Sequence, residues 1–381
     1  MQAPYARIPA VPAAIGLVCG VACGMAAPSG LWLWLAVACC AAAGIGLWLW
    51  RDARFYAAAP LAMAAGIALS MSAEAAENEN PPLADARNGL AECIYSAPLD
   101  GDAAAFLATT LVADGRYMRR AVREDFRNSG MAHVLALSGF HVGVVALLML
   151  WLTRPMVLCR RLRPWRPLPV LGAVWAFVFI GGMAPSLQRA ALMFTLLLAA
   201  RWSGRGYSSL NALAVAAIAI VLVRPAAATD VGFVLSFVSV GGIVLLMPVV
   251  NPFDESSHPL VRRAASVLSV PVCATLATAP VVAGVFGSLP LLFLPANVAL
   301  SLLFAPFYVL SLVLVALSAA GIALAPLTAA VQMLYGAMSR VAVWCSSAVP
   351  VHMPQWAGLA FYAALVALTL WYYNQKKRRP E

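Results

Sequence analysis

The chain has 381 residues, of which 63% are apolar and only 10% charged, where a soluble domain carries about 25% charge. That composition excludes an ordinary water-soluble fold and points to a chain that lives in a bilayer. Its 25 Lys+Arg against 15 Asp+Glu give a net charge of +10. In a membrane protein such an excess reads first as topology and only then as an anionic substrate.

The apolar runs are too continuous for barrel strands, which must alternate with polar lumen residues. They predict an all-α polytopic integral membrane protein of about twelve transmembrane helices, some of them short or broken, at about 20 residues per span. In chain order the spans fall near residues 11–28, 31–50, 55–73, 132–153, 168–184, 187–200, 209–224, 232–250, 266–286, 291–318, 326–349 and 355–373. With Arg7 placed inside, the inner connections take Arg51, Arg54, Arg154, the arginines of 160–166, Arg201, Arg205, Arg262, Arg263 and the tail from Lys376 to Arg379. The positive-inside preference is kept at every turn, so both ends are expected to be cytoplasmic.

Four regions follow: a three-helix membrane segment (1–73), a short extracytoplasmic segment (74–131), a channel-type membrane domain (132–373) and a basic cytoplasmic tail (374–381). The outer segment opens with an acidic stretch from Glu74 to Pro82. It continues through about Asp102 to Asn128, where Arg116, Arg119, Arg120, Arg123 and Arg127 recur at helix-face spacing. An amphipathic helix is expected there, either simply solvated or offering a basic face to a polyanion.

Ionisable groups inside spans are costly and point to function. The fourth span opens with His133-Val-Leu-Ala-Leu-Ser138-Gly139-Phe-His141-Val-Gly143. On one helix, His133 and His141 would lie about 80° apart in projection, with Ser138 and His141 as i, i+3 neighbours. Gly139 and Gly143 mark either close helix packing or a broken helix lining a cavity. Pro185-Ser186-Leu-Gln188-Arg189 suits a helix start, and there Arg189 opposes the macrodipole. It either snorkels to headgroups or faces a water-filled path. Asp230, ahead of Gly232 and Ser236, is either a helix N-cap or the partner of Arg189. Asn297, in the tenth span, can bond a neighbouring backbone, and Arg340 can sit near a helix end.

Other chemistries lack their residues. The eight cysteines form no C-x-x-C pair and read as small apolar filler. Four histidines do not build an H-x-H-x-D-H site, and no phosphate-binding G-x-x-x-x-G-K-[ST] loop is present. The Leu-Ser138-Gly139 string resembles that of an intramembrane serine protease, but that chemistry needs a His on a different span, and the i, i+3 pair Ser138 and His141 on one helix rarely gives base-to-nucleophile geometry. No enzyme activity and no cofactor are expected.

Leu111-Val-Ala-Asp114-Gly115-Arg116 and Arg127-Asn-Ser-Gly130-Met-Ala-His133 through Gly143 resemble the signature of the ComEC family of competence membrane proteins. So do Pro185 through Ala190, Asp230-Val-Gly232-Phe233-Val-Leu-Ser236-Phe237, and the stretch from Pro280 to Asn297. Position 234 is Val where that family often has Gln. The resemblance implies a channel passing single-stranded DNA across the bacterial cytoplasmic (inner) membrane during natural transformation. Longer relatives carry an outer OB-like domain and a C-terminal metallo-β-lactamase-like nuclease domain, and neither is expected within these 381 residues; a separate nuclease and a degenerate paralogue with no DNA traffic would both fit. Implied partners are the single strand, a DNA receptor on the outer face, a cytoplasmic ATP-driven helicase or strand-binding proteins, and membrane lipids. The expected path residues are His133, Ser138, Gly139, His141, Pro185, Ser186, Arg189, Asp230, Gly232, Ser236 and Asn297. A secondary transporter of a small anion and a non-transporting scaffold are the rival readings; the first would show inverted repeats and a midplane relay, and neither is evident.

Overall fold

The computed structural model describes residues 10–26, 37, 39–40, 58–72, 83–204, 206–251, 258–287, 289–290, 292–348, 351 and 355–378. Among them the chain is helical throughout and holds no strand, apart from one isolated antiparallel bridge between Leu289 and Val351. The expected second span, 31–50, lies outside the described residues almost entirely, as does the acidic stretch from Glu74 to Pro82.

Two compact units are present. The first comprises Met1–Pro81, Thr153–Trp175 and Met183–Phe237; the second comprises Pro82–Leu152, Ala176–Gly182 and Val238–Glu381.

In the first unit, α1 (Ala10–Ala26) lies against α2 (Ala58–Ser72). Gly16 and Gly20 of α1 face the backbone of Ala59 and Met63, and Gly66 of α2 faces Leu17 and Val21, so any Cβ at these positions would collide with main chain. Small residues let two backbones approach this closely where lipid gives no hydrophobic drive between helices. After the short helix α8 (Pro155–Leu158) and the start of α9 (Pro167–Ile180) come α10 (Pro185–Trp202) and α11 (Ser209–Val223). Leu17 and Val21 of α1 join Ala217, Ile220 and Val221 of α11 and Phe233 of the next helix in one apolar cluster. Trp175 donates from Nε1 to Thr195 Oγ1 at 3.1 Å, tying α9 to α10.

The second unit begins with α3 (Ala84–Ser96), α4 (Gly101–Val112), α5 (Arg120–Asn128), α6 (Ala132–Leu135) and α7 (Gly139–Leu152). The single amphipathic helix expected near 102–128 is instead two helices of opposite character. Every residue of α4 from Ala103 to Val112 is buried, because that stretch carries no charge beyond Asp102. The amphipathic part is α5, which buries Val122 and Phe126 and turns its arginines outward. Phe106 of α4 contacts Phe126 of α5, Phe307 of α14 (Phe293–Ala319) and Tyr335 of α15 (Ala325–Ser346), at centroid distances of 5.0, 5.6 and 5.3 Å. Each such aromatic pair is worth about 0.5–1.5 kcal/mol beyond burial.

Among the described residues, three helices or helix segments are long and apolar enough to cross a membrane. They are Val231–Val250, which is α12; Leu268–Phe286 within α13 (Pro259–Phe286); and α14. Shorter apolar helices include Ala10–Cys23, Ala58–Ser70, Gly101–Val112, Gly139–Leu152 and Ser209–Val223. The last helix, α16 (Gln355–Arg378), packs on α13. Leu289, between α13 and α14, and Val351, between α15 and α16, exchange two backbone hydrogen bonds of 2.8 Å.

Candidate functional site

The approach to the first motif is built by backbone geometry. At the end of α5, Gly130 N–H donates to Arg127 C=O at 3.0 Å and Met131 N–H to Phe126 C=O at 2.8 Å, the two bonds of a Schellman motif. Gly130 carries the left-handed φ of 80° that this turn demands. Its bare α-carbon also faces Phe293, whose Cβ would lie 2.5 Å from a Cβ placed at 130.

The fourth expected span is broken. α6 ends at Leu135, Ala136 is extended (φ −84°, ψ 134°), and α7 starts at Gly139. His133 and His141 therefore do not share one helix, and the projection angle expected between them does not apply. His133 is exposed, whereas His141 is 1% exposed. Ser138 precedes the helix, and its C=O accepts from the backbone N–H of His141 at 3.1 Å. In return His141 Nδ1 accepts from Ser138 N–H at 3.1 Å and lies 2.9 Å from Ser138 Oγ. This is the reciprocal half of a capping box, with histidine in the place usually taken by Glu or Gln, while the Ser138 hydroxyl meets the ring rather than the His141 N–H. The two side chains do come within hydrogen-bond reach, contrary to expectation, because Ser138 has left the helix. An acceptor Nδ1 puts the ring proton on Nε2, which is buried without a hydrogen-bond partner. The His141 ring stands edge-on to Phe304 and Tyr308 of α14, 5.0 Å from each centroid. A Cβ added at Gly143 would meet no atom within 4 Å, so close packing is not what its small size serves. Asn297, near the start of α14, gives its C=O to Ser301 Oγ at 2.7 Å, while its own buried Oδ1 has no partner.

In the first unit the second and third motifs meet. Gly182 (φ 73°) and Met183 (φ 57°) turn the chain ahead of α10, and Pro185 takes the first helical position, where its missing N–H costs nothing. Ser186 occupies the next position, and Gln188 donates from Nε2 to Met183 C=O. Arg189 does not snorkel: it is 6% exposed within the protein. Its Nη1 donates to the main-chain oxygen of Ser236 at 2.5 Å, its guanidinium carbon lies 5.9 Å from the Phe237 ring centroid, and its Nε is buried without a partner. Ser236 thus contributes a carbonyl here.

The Arg189–Asp230 ion pair is not formed. Asp230 Oδ1 accepts from Phe233 N–H at 2.9 Å and caps α12, a local bond available as soon as the helix starts. Gly232 leaves room for that carboxylate, since a Cβ there would sit 2.9 Å from Asp230 Oδ1.

A further polar cluster, whose Asp114-Gly115-Arg116 entered the sequence reading as part of a signature and not as a site, lies in the outer segment. Asp114, only 4% exposed, accepts from Arg116 Nε at 2.9 and 3.0 Å, Nη2 at 2.8 Å and the Arg116 N–H at 3.1 Å. Those bonds hold its carboxyl below the usual range. Burial, and then the neighbouring Asp114 carboxylate, push the Tyr95 phenol up to about 12. Arg87 donates to Ala113 C=O at 2.7 Å. The signal for this clamp was Asp114-Gly115-Arg116, an Asp-Gly turn with a cation two residues on.

Among the described residues, no group of three or more His, Cys, Asp or Glu side chains is placed to hold a metal ion.

A family model described as "Competence protein" matches residues 110–376, a stretch holding all eleven expected path residues. The ComE operon protein 3 of Bacillus subtilis (strain 168) is 26% identical over 213 residues, covering 55% of this chain and 25% of that protein. The competence protein ComA of Neisseria gonorrhoeae is 33% identical over 141 residues, covering 35% of this chain and 20% of that protein. The aligned part is thus a quarter or less of either relative's length. No solved structure matches.

Proposed function

The chain belongs to the competence protein family, and from that premise we propose that it passes single-stranded DNA across the cytoplasmic membrane of a bacterium during natural transformation. The observation that carries this reading is Arg189, a buried guanidinium held by a peptide oxygen with no carboxylate partner among the described residues. A strand with one negative charge per nucleotide cannot enter about 30 Å of bare hydrocarbon. Its path needs positive potential and hydrogen-bond donors, with contacts weak enough to release the strand. Arg189 supplies the first. In the same unit, the start of α10 at Pro185 and Ser186 supplies polar groups where continuous helix would leave none. Asp230 and Gly232 keep the start of α12 in place beside Arg189.

The same reading takes about twelve spans with both ends cytoplasmic. It leaves directional work to a cytoplasmic ATP-driven helicase or strand-binding proteins, meeting the arginines between 154 and 166. Delivery from an outer DNA receptor, and strand degradation by a separate nuclease, complete the set of partners.

The test is Arg189→Gln beside Arg189→Lys. Glutamine keeps a donor for the Ser236 carbonyl and removes the charge; lysine keeps the charge. With membrane levels matched, Arg189→Gln lowers transformation frequency by an order of magnitude or more, and Arg189→Lys retains part of it. Unchanged transformation in Arg189→Gln at normal expression overturns the role of this cation.

A further inference from the structure

α14 is apolar on most of its surface, yet the side-chain oxygens of Asn297, Tyr308, Ser311 and Ser318 are buried on it without any hydrogen-bond partner. At about 100° per residue these four positions fall within roughly 80° of one another around the helix. At about 1.5 Å of rise they extend over about 32 Å, close to the thickness of the hydrocarbon layer. His141 Nε2, also buried and unpartnered, belongs to the ring that stands edge-on to Tyr308.

Hydroxyls on this protein's helices ordinarily bond back to the preceding turn. Ser301 does so to Asn297, Thr278 to Ala274, Thr195 to Ala191 and Thr369 to Leu365, at 2.7–2.8 Å. Ser311, with no exposure at all, lacks that bond. Tyr308 is equally inaccessible and carries its hydroxyl into the interior. A buried polar group with no hydrogen-bond partner is strongly disfavoured, and three hydroxyls and an amide oxygen along one side of one helix, with an imidazole nitrogen beside them, are not a scattered accident. The aromatic faces beside His141 give its N–H a weak π acceptor at most; the hydroxyls have not even that.

We propose that this side of α14 is a hydrated seam, in which bound internal water bridges Tyr308 Oη, Ser311 Oγ and, beside Tyr308, His141 Nε2, while further waters meet Asn297 Oδ1 and Ser318 Oγ towards its two ends. Water is the ligand class that fits, because the five groups mix donors and acceptors, carry no charge, and lie among apolar neighbours such as Phe304, Leu314 and Val315. The seam stands independently of any DNA traffic.

Two measurements on the full chain in phospholipid nanodiscs test it. Hydroxyl-radical footprinting labels side chains next to bound water, so Tyr308 is modified markedly faster than Phe126, which is equally inaccessible and whose ring has no polar atom of its own. Tyr308 protected as fully as Phe126 overturns the seam. In thermal unfolding, Tyr308→Phe and Ser311→Ala each lower Tm by a few degrees, because each removes a satisfied hydroxyl from a water-bridged set. If the groups are instead dry and unbonded, deleting them relieves a penalty; an unchanged or raised Tm in both variants overturns the proposal.

Discussion

The Asp230 carboxylate is held by Phe233 N–H of its own helix; of its two readings in the sequence, a helix N-cap and the partner of Arg189, the structure takes the first. Asparagine caps as well as aspartate, so Asp230→Asn leaves thermal stability and transformation near wild type, while Asp230→Ala lowers stability by about 1 kcal/mol; thermal unfolding of the two variants side by side checks this. Asp114 carries a pH dependence of definite sign. Its folded carboxyl is held below the ordinary value by Arg116, so as pH falls the unfolded chain takes up the proton first. The stabilisation is complete above the ordinary carboxylate value of about 3.9 and is lost as pH drops below it. Relative to the intrinsic exchange rate at each pH, amide protection around residues 113–116 falls in that acid range, and Asp114→Asn flattens the dependence.

At the level of elements, the break between α6 and α7 was legible in Ser138-Gly139, but its fastening was not. A capping box announces itself by Glu or Gln three residues on; here the third residue is His141, which reads as an ionisable path residue until its Nδ1 is seen on Ser138. α4 was hidden for a different reason. The arginines at 116–127 dominate the charge pattern, and a window that includes them averages away the uncharged run from Ala103 to Val112. Glycine identity likewise says little without backbone angles. Gly130 is left-handed and pressed against Phe293, whereas Gly143 has open space around it. Gly130→Ala therefore costs about 1–2 kcal/mol for the φ alone, with the Phe293 contact added, and reduces folded protein in membranes. Gly143→Ala changes stability by no more than about 1 kcal/mol, in the favourable direction. Fluorescence-detected size exclusion of the two variants separates them.

For the molecule as a whole, few charges together with unbroken apolar runs were enough to read an all-helical membrane protein. Length was a poorer guide to each span: several apolar helices are only 12–17 residues long, and hydropathy alone does not fix how such short helices sit in a bilayer. The three motifs assembled as local chemistry allowed: Pro185 through Arg189 meets Asp230 through Phe237 in the first unit, and Ser138 through His141 meets α14 in the second. Neither meeting is encoded by spacing in the chain.

The bridge between Leu289 and Val351 has a mechanical meaning. A residue pair exchanging both backbone bonds holds its α-carbons about 5.5 Å apart, a separation that suits a disulfide. That small ladder ties the connection between α13 and α14 to the connection between α15 and α16. Leu289→Cys with Val351→Cys, assayed in a background lacking the native cysteines, oxidises readily. The locked protein transforms as well as its reduced form if the two connections stay tied, and stalls if traffic requires them to part.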